Sequence, residues 1–277
     1  MRVVDGKAAC GLMEPLTALV VKAGAAILAV NRAAMQIEGK QDGSPVTEAD
    51  LAADRIICGG LAELAPDLPT LSEERTELAT PPFRDSFFLI DPLDGTKEFV
   101  AGRDEFTVNV ALVTNGIPLL GIVSAPALGL LWRGVVGHGA ERLRIDSTVA
   151  GSAEPIHTRA LPKPGEPWIA AVSRSHGDAR SEAFIDERPG AVRRTLGSAV
   201  KFGRIAEGTA DIYPRFGPTS EWDVGAGCAV VTAAGGRVTD GKGREIRFGQ
   251  RKGDFLVPEF IAWGDPKAIP KATAGTY

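Results

Sequence analysis

The stretch that most constrains this chain is Phe87 to Val100, FFLIDPLDGTKEFV. The apolar run Phe87 to Ile90 predicts a buried strand, and it ends on Asp91-Pro92-Leu93-Asp94-Gly95-Thr96. Proline cannot continue a ladder and glycine permits a tight turn, so the backbone must bend here. The bend can bring Asp91 and Asp94 together, although a straight strand would point them apart. Two carboxylates held close repel unless a cation or proton sits among them, and a turn of oxygen donors suits a hard divalent cation, with the Leu93 carbonyl flanked by both acids. Gly95 and Thr96 open a polar segment whose N–H groups can receive a phosphate oxygen. An acidic turn exposed on a loop would read the same, so the rest of the chain must decide. The D-x-D-G-T of aspartyl-phosphate phosphatases is disfavoured, because its two acids must share a strand face and here the spacing is different.

With 277 residues the chain can bury a sizeable core in one or two domains. A formal charge of −4 argues against a nucleic-acid polymer or an anionic membrane surface as the main partner, and leaves a small anion held through metal. Cys10, Cys58 and Cys228 form neither a disulfide framework nor a zinc motif, which points to a reducing, cytoplasmic setting. Asp5, Lys7 and Glu14 fall too early for a signal peptide. The most apolar stretch, Ile117 to Trp132, is interrupted by Pro118, Ser124 and Pro126, so it predicts a strand, a turn and a strand, not a transmembrane segment.

Apolar positions from Leu16 to Val30 recur at helical spacing and predict an amphipathic helix over Glu14 to Ala34. After a loop at Lys40 to Pro45, Thr47 and Asp50 read as a capping box opening a helix to about Leu64; Asp50 either complements the helix dipole or serves a site. Thr70 to Ser72 is a short strand that can pair with Phe87 to Ile90, and it delivers Glu73-Glu74 beside the Asp91 turn. Glu105 to Val113, the Asn115-Gly116 hairpin, Leu119 to Ala125 and Leu128 to Val136 continue a sheet with both helices on one side. Gly137 to Pro167, rich in Gly, Pro and charge, predicts a connection between an N-terminal α+β domain (1–160) and a C-terminal α/β domain (161–277). There, Ile169 to Val172 ends on Ser173-Arg174-Ser175-His176, Gly197-Ser198 starts a helix with Ser198 and Lys201 on one face, and Asp211 to Tyr213 ends on Pro214-Arg215. Ser220 and Asp223 form a second capping box on a small-residue helix ending near Gly235-Gly236, and the tail from Asp265 is expected to be mobile.

Gly236 to Lys242 nearly matches a phosphate-binding P-loop, but Gly243 stands where Ser or Thr is required, and a hairpin is expected instead. No nucleophile elbow or dinucleotide fingerprint is present. What remains is a carboxylate cluster without a covalent nucleophile, which favours metal-activated water.

Glu73-Glu74, Asp91 to Thr96, and Trp222-Asp223 in a Gly/Ala-rich helix together resemble the lithium-sensitive, Mg²⁺-dependent phosphatases of the inositol monophosphatase superfamily. PLDGTKEF, EFTVNVAL, SRSH, GSAVKF and YPRFGPTSEWD look like its bacterial 3′(2′),5′-bisphosphate nucleotidase branch, over about Glu14 to Gly264. The resemblance implies a layered αβαβα sandwich, with Glu73, Asp91 and the Leu93 carbonyl on one Mg²⁺ and Asp91, Asp94 and Asp223 on another. It implies that Asp50, Thr96 and Glu73 position the attacking water, that Leu93, Asp94, Gly95, Thr96 and Asp223 border the substrate, and that His176, Ser198, Lys201 and Arg215 hold the nucleotide and its second phosphate. Ala199 stands where this branch often has a second serine. The implied reaction removes the 3′-phosphate of adenosine 3′,5′-bisphosphate to give AMP, with the sulfated precursor as a second substrate, in sulfur assimilation and nucleotide recycling. An inositol or sugar phosphatase on the same metal site is the alternative, and a catalytically silent phosphate-binding protein is a third reading. The same likeness allows a peripheral seat on the cytoplasmic face of the inner membrane and leaves oligomeric state open.

Overall fold

The computed structural model describes residues 3–270 apart from 33–34, 36, 40–44, 79–82, 84, 147–148, 176, 189 and 251–254. Helix α1 (Gly6–Ala29) is capped by Asp5, whose carboxylate accepts from the Ala8 N–H at 2.8 Å. It begins earlier than the expected Glu14 and carries Pro15 inside it, because Ala9 and Met13 extend the same buried stripe as Leu16, Val20, Ala23 and Ile27. By length and composition alone α1 could cross a membrane; here that stripe is buried in the protein core. A ribbon of β1 (Ile37–Gly39) and β2 (Pro45–Thr47) leads into α2 (Glu48–Leu64), which starts on the expected Thr47/Asp50 capping box. The expected loop at Lys40 to Ser44 lies outside the described residues.

There follow β3 (Thr70–Ser72), a 3₁₀ turn (Glu73–Leu78), β4 (Ser86–Asp94), α3 (Thr96–Val100), β5 (Thr107–Thr114), β6 (Ile117–Ala125), β7 (Leu130–Val135), β8 (Gly139–Asp146) and β9 (Val149–Ile156). Strands β3 to β9 form one seven-stranded sheet in sequence order, antiparallel except for the parallel pair β3–β4. Asn115 and Gly116 both adopt positive φ, 51° and 78°, in the hairpin turn that their identities predict. The expected inter-domain connection over Gly137 to Pro167 is overturned: most of it is β8 and β9, which complete the sheet. Its composition misleads because β9 is a mostly exposed edge strand, where Gly151, Pro155 and charge are tolerated and blunt the edge.

The second half supplies β10 (Ile169–Ser173), α4 (Ala179–Asp186), β11 (Val192–Leu196), α5 (Val200–Ala206), β12 (Ile212–Arg215), β13 (Thr219–Ser220), α6 (Glu221–Ala233), β14 (Arg237–Thr239), β15 (Leu256–Val257) and β16 (Phe260–Trp263). A five-stranded sheet has the order β11-β10-β12-β16-β14, and β13 pairs with β15. The near match to a P-loop is β14 and a turn in which the Asp240 carboxylate accepts from the Lys242 and Arg244 N–H groups at 2.9 and 2.8 Å, in line with the expected hairpin. The tail expected to be mobile from Asp265 instead forms a 3₁₀ turn, Pro266–Ala268, capped by Asp265; residues 271–277 lie outside the described residues.

Strand alternation assigns the layers. Along β4, Phe88 and Ile90 join the core of α1 and α2, while Phe87 and Leu89 join a second core with α5 and α6. In the smaller sheet, Ala171, Tyr213, Phe260 and Ala262 face α5 and α6, whereas Ala170, Ile212, Ile261 and Trp263 pack with Ile185 and Phe184 of α4. The order is therefore helix, sheet, helix, sheet, helix, the expected αβαβα sandwich. Helix α6 fits between two sheets only because its contacts are small: a Cβ on Gly121 of β6 would lie 2.2 Å from the Ala226 carbonyl oxygen.

Candidate active site

Strands β3 and β4 run parallel with Ser72 opposite Ile90, so the residues that follow, Glu73 and Asp91, emerge side by side. Against β5 the ladder is irregular between Asp91, opposite Asn109, and Asp94, opposite Thr107. Three steps on one strand meet two on the other, a bulge containing Pro92, and this bulge lets both acids reach one side. The amino end of α6 brings Asp223 to the same place. Carboxylate oxygens of Glu73, Asp91 and Asp223 lie within 4.8 Å of one another, so of the Glu73-Glu74 pair it is Glu73 that joins the trio.

A cavity of about 230 Å³ opens over these acids. Glu73, Asp91, Leu93, Asp94, Gly95, Thr96 and Asp223 line it, together with Ser198, Lys201 and Arg215. Asp50 is buried and does not line it; its reach is through Thr96, whose Oγ1 lies 3.1 Å from Asp50 Oδ1 and 3.3 Å from the Leu93 carbonyl. The other Asp50 oxygen accepts from the Thr47 N–H at 2.9 Å and the Thr47 hydroxyl at 2.6 Å. The capping box thus fixes the carboxylate that orients Thr96. His176 lies outside the described residues.

Ser198 differs from expectation. It precedes α5, with φ 45°, and does not share a helix face with Lys201. Its Oγ lies 2.8 Å from the Asp94 carbonyl and 3.0 Å from the Glu105 carbonyl, so its proton is already committed to backbone. Gly95, at φ 91°, permits this contact, because a Cβ there would meet Ser198 Oγ at 2.1 Å. Lys201 is buried, with Nζ donating to the carbonyls of Ser198 (2.6 Å) and Leu196 (3.3 Å) and lying 5.1 Å from the Tyr213 ring centroid. Arg215 donates from Nη2 to the Pro218 carbonyl at 3.2 Å, and its buried Nε has no partner among the described residues.

Two supports of Asp94 were missed in the sequence: the Thr107 hydroxyl at 3.3 Å and Asn109 Nδ2 at 3.5 Å, both from β5. Their signal was available, since Thr107 and Asn109 are polar residues two apart in an otherwise apolar strand and must share a face. Ser173, from the polar cluster expected at the end of its strand, also lines the cavity, as do Lys97 and Tyr213, which were not singled out.

Burial, then the charges of Glu73, Asp94, Asp223 and Asp50, pushes the Asp91 carboxyl well above the usual carboxylate range. Asp94 is pushed up to about 7 by burial and then by Asp223, with Lys201 and Arg215 pulling the other way. Lys201 is brought down to about 8, chiefly by burial. An all-oxygen donor set crowded enough to hold Asp91 and Asp94 above the usual carboxylate range fits a hard divalent cation.

Residues 12–271 match the model of the inositol monophosphatase family. The chain belongs to the inositol monophosphatase family. Its relatives there include the 3′(2′),5′-bisphosphate nucleotidase CysQ of Escherichia coli K12, 38% identical over 90% of this chain and 98% of that protein. The CysQ nucleotidase of Salmonella typhimurium LT2 is 39% identical with the same coverage. Among solved structures, CysQ from Bacteroides thetaiotaomicron, a bacterial member of the family, superposes with a TM-score of 0.75 at 32% identity, covering 90% of this chain and 96% of that one. An inositol monophosphatase from Thermotoga maritima superposes at 0.69, with 27% identity and 89% of both chains covered.

Proposed function

We propose that this family member hydrolyses the 3′-phosphate of adenosine 3′,5′-bisphosphate to AMP and phosphate, with the sulfated precursor, adenosine 3′-phosphate 5′-phosphosulfate, as a second substrate. The observation that carries the reading is the cavity itself, which is lined both by the carboxylate trio and by the cations Lys201 and Arg215. A substrate with two anionic groups needs a separate cationic site for the second, and a simple monoester does not. The identity to bisphosphate nucleotidases over nearly their whole length supports the same choice.

Glu73, Asp91, Asp223, Asp94 and the Leu93 carbonyl would hold Mg²⁺. When bound, divalent ions in such a cluster lower the pKa of water and neutralise charge on the attacked phosphate and its leaving oxygen. The protein's own part is orientation. Thr96, its proton drawn toward Asp50, presents lone pairs to the cavity that hold a water molecule by its hydrogen. That water's oxygen attacks phosphorus, the bond to the ribose 3′-oxygen breaks, and a proton ends on that oxygen. On this reading residues 1–160 supply most metal ligands, and residues 161–277 supply the nucleotide contacts and Asp223. Cytoplasmic action, with lithium inhibition, is part of the proposal.

The test is phosphate release from adenosine 3′,5′-bisphosphate, its sulfated derivative, inositol 1-phosphate and a simple aryl phosphate, each with Mg²⁺, with EDTA and with added Li⁺. Preference for the bisphosphate, loss with EDTA, and Lys201→Ala and Arg215→Ala raising KM at least about tenfold for the bisphosphate only, are expected. Equal KM effects on every substrate would remove the nucleotide site and favour the inositol or sugar phosphatase that family membership also supports.

A further inference from the structure

Helix α2 presents two buried carboxylates one turn apart on a single face, Asp50 and Asp54. Asp50 serves Thr96. Asp54 meets the segment where the chain leaves β3. Its Oδ1 accepts from the Ser72 hydroxyl at 2.7 Å, and its Oδ2 accepts from Arg75 Nε at 2.7 Å. The Cys58 thiol, one turn further along α2, donates to Oδ1 at 3.3 Å. Ser72 and Arg75 bracket Glu73 in sequence, the residue before it and the second after it. The 3₁₀ turn is broken at Arg75, with φ −139° and ψ 30°, so local helical bonds alone do not define this segment.

We infer that Asp54 is a positioning residue for the metal site: by holding Ser72 and Arg75 it sets the direction in which Glu73 leaves β3. The inference rests on the reading of Glu73 as a metal ligand. The ligand carboxylate sits at the start of a six-residue 3₁₀ segment, just past the end of the β3 ladder at Ser72, and that segment is itself interrupted at Arg75. A buried carboxylate anchored in a long helix supplies a rigid reference, and its pairing with Arg75 adds a charge-assisted bond. Asp54 touches neither cavity nor trio, so its effect must pass through Glu73.

The test measures metal binding without substrate. Wild type, Asp54→Asn, Arg75→Ala and Glu73→Gln are titrated calorimetrically with Mg²⁺ and Mn²⁺, and phosphate release is then followed across metal concentration. Asp54→Asn and Arg75→Ala should each bind metal about tenfold more weakly, the size usual for partners that orient a ligand. The metal concentration for half-maximal rate should rise by a similar factor, the rate should recover as metal is raised, and KM for substrate at saturating metal should hold. The double variant should be no worse than Asp54→Asn alone, because both changes cut the same tie. Arg75 is half-exposed, so Arg75→Ala carries the test if Asp54→Asn fails to fold. A lower melting temperature and fewer active molecules, with metal affinity unchanged in both variants, would overturn the inference. If Glu73→Gln itself binds metal as wild type does, the ligand assignment fails instead.

Discussion

Thr96 and Asp50 show how one hydroxyl is made useful by a second residue that never meets the cavity. Thr47 pins one Asp50 oxygen and Thr96 addresses the other, so the hydroxyl is oriented before any substrate arrives. Thr96→Val should lower kcat by about 100-fold, the low end for a positioned proton-handling group, with KM little changed. Asp50→Asn combined with Thr96→Val should cost no more than the single change, measured by phosphate release; additive losses would mean that Asp50 acts on its own. At this scale much of the cavity was legible in the sequence, because Asp91, Asp94, Gly95 and Thr96 stand in one turn whose chemistry is local. Asp54, Thr107 and Asn109 were not read. Their partners lie on elements 13 to 21 residues away; alternation puts Thr107 and Asn109 on one face, but no neighbouring letter names Asp94 as what that face meets, and none marks the partners of Asp54.

The elements place those residues by close approach. Gly121 of β6 meets the backbone of α6, so Gly121→Ala must push the central helix from the sheet or tilt it. A loss of about 1–3 kcal/mol is expected, read from thermal unfolding, as for other forced overpacking. The contrast is Gly59, exposed in the interior of α2, where an added Cβ would have nothing within 4 Å and Gly59→Ala should gain up to about 1 kcal/mol from helix propensity. Unchanged stability in Gly121→Ala would show that the layer gives way. Capping boxes announced α2 and α6 correctly, since a cap is a matter of residues three apart. Strand β9 was missed for the opposite reason: an edge strand pairs on one side only, and its outward residues are free to look like a linker; β8, paired on both sides, carries exposed charged residues that read the same way.

The whole molecule converges acids from β3, β4 and α6 on one cavity, and that convergence carries a cost which varies with pH. Without metal, Asp94 titrates near 7 and Asp91 is also raised, whereas in the unfolded chain both fall near the ordinary value of about 3.9. Between those values the folded state binds more protons than the unfolded state. This contribution to stability is therefore full below about pH 4 and is lost as pH rises through about 7. The metal-free protein should melt roughly 5 °C or more lower at pH 8 than at pH 5.5, and saturating Mg²⁺ should raise the melting temperature more at pH 8. An equal Mg²⁺ effect at both values would count against the cluster as the metal site.

What the amino-acid order determined by itself was whatever acts over a few bonds: the strand that stops at Asp91, the turn after it, the helix caps and the buried stripe of α1. Which acids meet was decided by tertiary structure alone. Glu73 reaches Asp91 through the parallel register of β3 and β4, and Asp223 reaches both because a glycine-rich helix lies against the sheet. Those contacts join residues far apart in the chain, and their geometry exists only after both sheets have closed on α6.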